Sequence, residues 1–289
     1  MKRVAISGAN GFVGHTLCNL LAQNKDEYEI IPIDITTGID LSIKEACEQI
    51  EKFDVFVHLA NLVYVPDSYK NPEKFYRINY MTTLNALELC RKYNGRLVYI
   101  SSYIYGSPQY LPVDEKHSIN PFNPYAQTKV ICESLCEGYV RDFNIPVTIL
   151  RPFNIYGNGQ KGSLLIPEII QQLKEHKDTI QLRDPHPRRD YINVKDIASA
   201  LKACVDVDHN GIRRYNLCSG TSYSVLELTE IINSFLPKPV KFAFSKSDRV
   251  NEVDETIGTY DKIKNELGWH PSIDFKQGIY NLLKFENII

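Results

Sequence analysis

The sequence predicts an α/β protein: a doubly wound parallel sheet followed by a smaller mixed α/β C-terminal region. Three observations carry this. Short β-branched runs alternate with longer amphipathic stretches through the first half of the chain. A glycine-rich turn joins the first strand pattern to the first helical one, and an aspartate closes the second strand pattern. Near residue 155 the alternation stops and turn-forming residues crowd together.

Candidate strands lie at 4–7, 28–33, 55–59, 97–100 and 147–150, with helical patterns at 11–24, 42–52, 71–93 and 124–143 between them. Strands that are apolar on both faces need helices on both, which is the doubly wound arrangement, and right-handed crossovers follow. Helical patterns return at 163–176, 194–206, 224–235, 259–267 and 275–287, separated by short strands. There is no internal repeat and no low-complexity segment.

The 289 residues are 43% hydrophobic and 24% charged, a composition that supports a packed core. A net charge of −2 without a Lys/Arg run provides no field for a polyanion, so nucleic acid is not an expected partner. The chain passes from Met1-Lys2-Arg3 directly into a strand pattern, with no apolar stretch of signal or membrane-spanning length ahead of it; the expectation is a cytoplasmic protein with no membrane partner. Seven cysteines are scattered, with no Cys-x-x-Cys pair and no histidine at ligand spacing, which predicts reduced core thiols and no metal site.

Ser7-Gly8-Ala9-Asn10-Gly11-Phe12-Val13-Gly14 spells G-x-x-G-x-x-G between the first strand and the first helix. Glycine allows positive φ and close backbone approach there, and a helix N-terminus offers its amides to a pyrophosphate. Residue 9 is alanine, so the spelling G-x-G-x-x-G is not met. Asp34, 20 residues beyond Gly14, ends the second strand, where a carboxylate accepts from ribose hydroxyls and repels the extra phosphate of NADP. NAD is therefore the expected cofactor, and 1–155 the expected Rossmann unit that binds it. Residues 156–289 are expected to be mainly substrate-binding, with some segments returning to the Rossmann core.

Tyr125-Ala126-Gln127-Thr128-Lys129 follows Asn123-Pro124 on a helical pattern, so Tyr125 and Lys129 share a face one turn apart. A phenol of pKa near 10 has to fall by about three units, roughly 4 kcal/mol, to act as a base at neutral pH. A lysine ammonium and an oxidised nicotinamide both favour phenolate. Tyr-x-x-x-Lys alone is uninformative, since such pairs mostly face solvent. Ile100-Ser101-Ser102-Tyr103-Ile104-Tyr105-Gly106, at the ligand-binding edge of a predicted strand, adds a hydroxyl that can hold the substrate oxygen.

The ordered set Gly8/Gly11/Gly14, Asp34, Asp40-Leu41, His58-Leu59-Ala60, Ser101 five residues before Gly106, Tyr125-x-x-x-Lys129 and Arg151-Pro152-Phe153-Asn154-Ile155-Tyr156-Gly157 resembles the extended short-chain dehydrogenase/reductases. Within them it is most similar to the NAD-dependent epimerase/dehydratase family of sugar-nucleotide enzymes, among them those like UDP-glucose 4-epimerase. Matches continue through Arg189-Asp190-Tyr191, Tyr215-Asn216-Leu217-Cys218-Ser219-Gly220 and Leu267-Gly268-Trp269-His270-Pro271, to the last helical pattern.

The resemblance implies roles. Gly8, Asn10, Gly11, Phe12, Val13 and Gly14 would meet the pyrophosphate, Asp34 the adenosine ribose, and Asp40 with Leu41 the adenine edge. Leu59, Ala60 and Pro152 would line the cofactor, and Tyr125 and Lys129 would reach its nicotinamide ribose. Tyr125, Lys129 and Ser101 would be catalytic. Ser102, Tyr103 and Asn154 would contact the sugar nucleotide, and Arg189 and Arg249 would clamp its diphosphate. The residues after Arg249 depart from the family's usual Arg-Pro-Gly-Asp run.

The implied reaction is C4 epimerisation of a UDP-, dTDP-, CDP- or GDP-linked sugar through a transient 4-keto form. Enzymes similar to the 4,6-dehydratases carry Asp-Glu directly after the hydroxyl residue, and Ser102 and Tyr103 stand there instead. The alternatives are an NAD(P)H-dependent keto-reductase of a nucleotide deoxysugar and a non-catalytic nucleotide sensor. A homodimer through the tyrosine-bearing helix is implied too, with Val130, Ile131, Leu135 and Val140 as candidate contacts.

Overall fold

The fold is that of a computed structural model that describes residues 1–162, 164–245 and 253–289. In chain order the first half runs β1 (Lys2–Ser7), α1 (Phe12–Leu21), β2 (Tyr28–Ile33), β3 (Val55–His58), α2 (Val65–Lys70), α3 (Pro72–Tyr93), β4 (Arg96–Ile100), α4 (Pro124–Phe143) and β5 (Val147–Pro152). The second half runs β6 (Asn154–Tyr156), α5 (Leu165–Lys174), β7 (Thr179–Leu182), β8 (Arg188–Asn193), α6 (Val194–Asp206), β9 (Ile212–Leu217), β10 (Ser222–Ser224), α7 (Val225–Phe235), β11 (Lys241–Phe244), β12 (Glu255–Thr256), α8 (Asp261–Leu267) and α9 (Phe275–Phe285).

Six strands form one sheet in the order β2-β1-β3-β4-β5-β9, and every pairing is parallel. The pleat explains its two covered faces. Val4, Ile6, Val55 and Val57 point to a core shared with Leu17 of α1 and Ile197 and Leu201 of α6, whereas Ala5, Phe56 and Tyr99 point to the opposite core with Leu87 of α3 and Cys132 of α4. From β1 the chain moves outward to β2 and then returns to the other side as β3. That reversal opens a crevice at the C-terminal ends of β1 and β3, the place where such sheets bind ligands.

Two expectations are corrected. The helix anticipated at 42–52 is only a short 3₁₀ turn over Glu45–Gln49. The Asp40 carboxylate accepts from the Ser42 amide and hydroxyl at 2.9 and 2.7 Å, a local turn that competes with helix. The helical pattern opening at 71 is preceded by a separate short helix, α2, and Pro72 divides the two.

The sixth strand, β9, and the helix before it, α6, come from beyond residue 156 and complete the large sheet and its outer layer. The remaining C-terminal strands form a small sheet around β8, which pairs with β6, β10 and β12, and a two-stranded pair of β7 and β11. All seven cysteines are free, six of them buried. Among the described residues no helix is long and apolar enough to cross a membrane, and no group of three or more His, Cys, Asp or Glu could hold a metal ion.

Candidate active site

The glycine turn is held by backbone packing. Gly8, at φ +70°, gives its amide to Ile33 O at 2.8 Å and accepts from the Gly11 amide at 3.0 Å. A Cβ on Gly14 would overlap the Gly8 carbonyl oxygen and lie 2.9 Å from Ala9 Cα; one on Gly8 would come 3.1 Å from Ala60 N. Helix α1 therefore starts against the end of β1, with Gly11 as an N-cap that has no side chain to occupy the first amides. A cradle that a β-carbon would fill, opening on uncapped amides, fits the pyrophosphate of NAD.

Asp34 caps the turn after β2. Burial raises its pKa, but hydrogen bonds from the Thr36 amide and hydroxyl and from Asn10 N outweigh this and hold it below the usual carboxylate range. Asn10 Nδ2 also donates to Thr36 Oγ1 at 2.7 Å, joining the glycine turn to the end of β2. Leu41 is 3% exposed and packs in the core with Ile33 and Ile50, and the Asp40 carboxylate accepts from the Ser42 hydroxyl. Pro152 ends β5, buried.

His58 is a participant that sequence reasoning quoted only as part of a motif. It is fully buried, and burial, then the Lys129 charge, lowers its pKa to about 3, so the ring is neutral. Its Nδ1 lies 2.8 Å from Ser7 Oγ and its Nε2 3.1 Å from Thr83 Oγ1. Ser7 Oγ also accepts from the amides of Leu59 and Ala60 at 3.1 and 3.2 Å, so its proton goes to Nδ1, and Nε2–H donates to Thr83. The segment after β3 is thereby fixed beside Gly8.

Asn123 caps α4 by accepting from the Ala126 amide at 2.8 Å, with Pro124 in the first turn, and this sets Tyr125 and Lys129 at the C-terminal edge of β4. Lys129 is 1% exposed; its Nζ donates to Ile100 O at 3.0 Å and lies 5.8 Å from the centre of the Tyr125 ring. Burial lowers its pKa to about 8. The Tyr125 phenol is pushed up to about 12 by burial, eased by a hydrogen bond from Ser102. At neutral pH this burial keeps the phenol in its neutral form.

Ser102 is the serine that eases the Tyr125 phenol, and the Ser101 hydroxyl is engaged elsewhere. Ser101 is 3% exposed and donates to Glu133 Oε1 at 2.6 Å. Glu133 receives Arg151 through two bonds of 3.0 and 2.6 Å and keeps that guanidinium charged despite its burial. Arg151 then donates to Tyr105 Oη, which donates to Asn216 Oδ1. Glu133 was missed by sequence reasoning, although it stands one further turn along the face of Tyr125 and Lys129.

Tyr103 is half-buried, its phenol donating to Gly106 O at 2.7 Å and its ring centre 5.0 Å from that of Phe153. Asn154 is exposed and donates to Asp190 O at 3.1 Å. Arg189 on β8 donates to the carbonyls of Arg188 and Val253 at 2.8 and 2.6 Å. Behind it Asp190 is fully buried and accepts from Ser219 N and Oγ and from the amides of Gly220 and Gly258. Arg249 lies outside the described residues.

Residues 4–218 match the model of the NAD dependent epimerase/dehydratase family. A Methanocaldococcus jannaschii protein provisionally named a UDP-glucose 4-epimerase is 32% identical, over 98% of this chain and 97% of its own. GDP-6-deoxy-D-mannose reductase of Pseudomonas aeruginosa is 30% identical over 98% and 96%. Among solved structures, that of RMD from Pseudomonas aeruginosa complexed with NADPH is similar with a TM-score of 0.91 and 28% identity, covering 100% of both chains.

Proposed function

The chain belongs to the NAD dependent epimerase/dehydratase family, of the extended short-chain dehydrogenase/reductase type, and from that premise we propose that it epimerises a nucleoside-diphosphate sugar at C4. The observation that carries the reading is Lys129, held at the C-terminal end of β4 and 5.8 Å from the Tyr125 ring centre, on the sheet edge that also carries the glycine turn and Asp34. No carboxylate follows Ser102: Tyr103 has its phenol on Gly106 and Ile104 is buried, so the groups a dehydration needs are missing there.

In this reading Gly8, Asn10, Gly11, Phe12, Val13 and Gly14 hold the pyrophosphate of NAD, Asp34 its adenosine ribose, and Leu59, Ala60 and Pro152 its flank. When bound, NAD supplies a hydride acceptor for the sugar carbon and gives the hydride back. Tyr125 takes the proton from the sugar hydroxyl and later returns it. Ser102 hydrogen-bonds the same oxygen, and Lys129, charged below about pH 8, favours the phenolate. Asn154 and Arg189 contact the nucleotide sugar, with Arg249 as a second diphosphate ligand. Ser101 supports the site through Glu133 and Arg151.

We further propose that 156–289 mainly form the substrate-binding region, apart from α6 and β9, and that the protein is a cytoplasmic homodimer. The groove between α3 and α4, lined by Tyr80, Ile131, Leu135 and Phe143, supports the dimer; Leu135 and Val140 also pack against the core. Light scattering checks it.

Interconversion of UDP-glucose and UDP-galactose, or of another 4-epimeric nucleotide pair, by the NAD-loaded protein with no reduced cofactor added tests the reaction. A second reading, reduction of a 4-keto nucleotide deoxysugar, is favoured by the 30% identity to the Pseudomonas aeruginosa reductase. It requires one NAD(P)H consumed per sugar, which spectrophotometry at the nicotinamide band reads directly.

A further inference from the structure

Tyr103 lies three residues beyond the end of β4 and packs on Phe153, the residue after β5, so its ring stands at the C-terminal edge of the sheet, where Lys129 meets Ile100 O. It is unusually well fixed for a half-buried side chain. Its hydroxyl donates to Gly106 O, and Gly106 is itself held at φ +72° with no room for a Cβ against Asn120 O. Phe153 and Tyr105 meet it edge to face, at ring distances of 5.0 and 5.4 Å and interplanar angles of 67° and 73°. Both neighbours are buried, at 5% and 0% exposure, so what Tyr103 leaves open faces away from them. With its proton committed to Gly106, the side chain presents an apolar ring there and no free donor.

We infer that Tyr103 is a specificity-determining wall that packs flat against the C–H face of the substrate's hexose ring. This rests on the nucleotide-sugar reading and deepens it. Diphosphate and base give affinity to any nucleotide of the right kind, whereas a fixed aromatic ring recognises the sugar itself, through dispersion against its C–H groups. A rigid wall of this kind loses little conformational freedom on binding.

The test is calorimetric titration of the NAD-loaded protein with UDP-glucose and with UDP, or with GDP-mannose and GDP if the guanine nucleotides bind instead. Tyr103→Leu should weaken the nucleotide sugar roughly tenfold while shifting the bare nucleotide less than twofold, and Tyr103→Phe, which keeps the ring, should leave both within about threefold. Equal weakening of both ligands by Tyr103→Leu, or of neither, overturns the inference. Should Tyr103→Leu fail to fold, saturation-transfer NMR on wild-type protein with protonated tyrosine rings decides: transfer to sugar C–H protons is expected, and its absence overturns the wall. If wild-type protein binds no nucleotide sugar, the function reading falls and this one with it; intact binding by Tyr103→Leu removes only this one.

Discussion

The molecule has two glycine clusters near its ligand-binding edge, and they are built on different principles. In Gly8/Gly11/Gly14 the missing β-carbons are space: one on Gly14 would collide with the carbonyl of Gly8 and the Cα of Ala9. In Gly157/Gly159/Gly162 all three φ angles are positive, yet a Cβ on Gly159 or Gly162 would meet nothing within 4 Å; only Gly157 is tight, at 2.7 Å from Val194 Cγ1. The first cluster is a packing device and the second mostly a matter of backbone conformation. A packing device demands a spacing, because the strand, the turn and the helix must fit one another. A conformational one demands only glycine somewhere in the loop.

Substitutions can break or sharpen this contrast. Gly14→Ala should be the most damaging, costing about 3 kcal/mol or more of stability and abolishing measurable NAD binding, read by thermal unfolding and cofactor titration. Mild destabilisation with normal NAD affinity would mean the cradle is loose. Next, Ser102→Ala should lower kcat about a hundredfold while NAD binding stays within threefold. Ser101→Ala should instead cost about 1–2 kcal/mol of stability, by leaving Glu133 one donor short, and change kcat less than fivefold.

Lys129→Met should stop turnover yet stabilise the fold by roughly 1–3 kcal/mol near neutral pH, because a buried ammonium is removed. The sign follows from its lowered pKa. Below about pH 8 the lysine is protonated folded and unfolded, and the burial penalty is fully present. Between there and its ordinary value of 10.5 the unfolded chain still binds the proton and the folded one does not, so wild-type stability rises with pH and the advantage of Lys129→Met shrinks. Chemical unfolding at pH 7 and 9.5 measures it. Gly159→Ala should have the smallest effect, about 1 kcal/mol of backbone strain with no change in NAD affinity.

The same contrast explains what was legible in the sequence. Strands β1, β3, β4 and β5 stood out because both their faces are covered, which forces continuous apolar runs, and α3 and α4 because a proline opens each and an asparagine closes it. Gly8, Gly14 and Asp34 stood out through spacing. The segment at 42–52 did not, since a side-chain turn at Asp40 outcompetes a helix-like pattern. Ser101 and Ser102 are two adjacent serines with the same chemistry, and their different partners, Glu133 for Ser101 and the Tyr125 phenol for Ser102, come from a distant helix. His58, Glu133 and Arg151 are buried polar groups whose partners come from distant strands and helices, so no local pattern marks them.

The account rests on a hydride that leaves the sugar and returns to it at the site of Ser102 and Tyr125. Mass spectrometry of a nucleotide hexose carrying deuterium at C4, incubated with NAD-loaded protein and no reduced cofactor, tests this most directly. The predicted result is a mixture of C4 epimers that keeps its deuterium while bound NAD is unchanged at the end. Absence of the epimer, together with stoichiometric NADPH oxidation when a 4-keto nucleotide sugar is supplied, would contradict it.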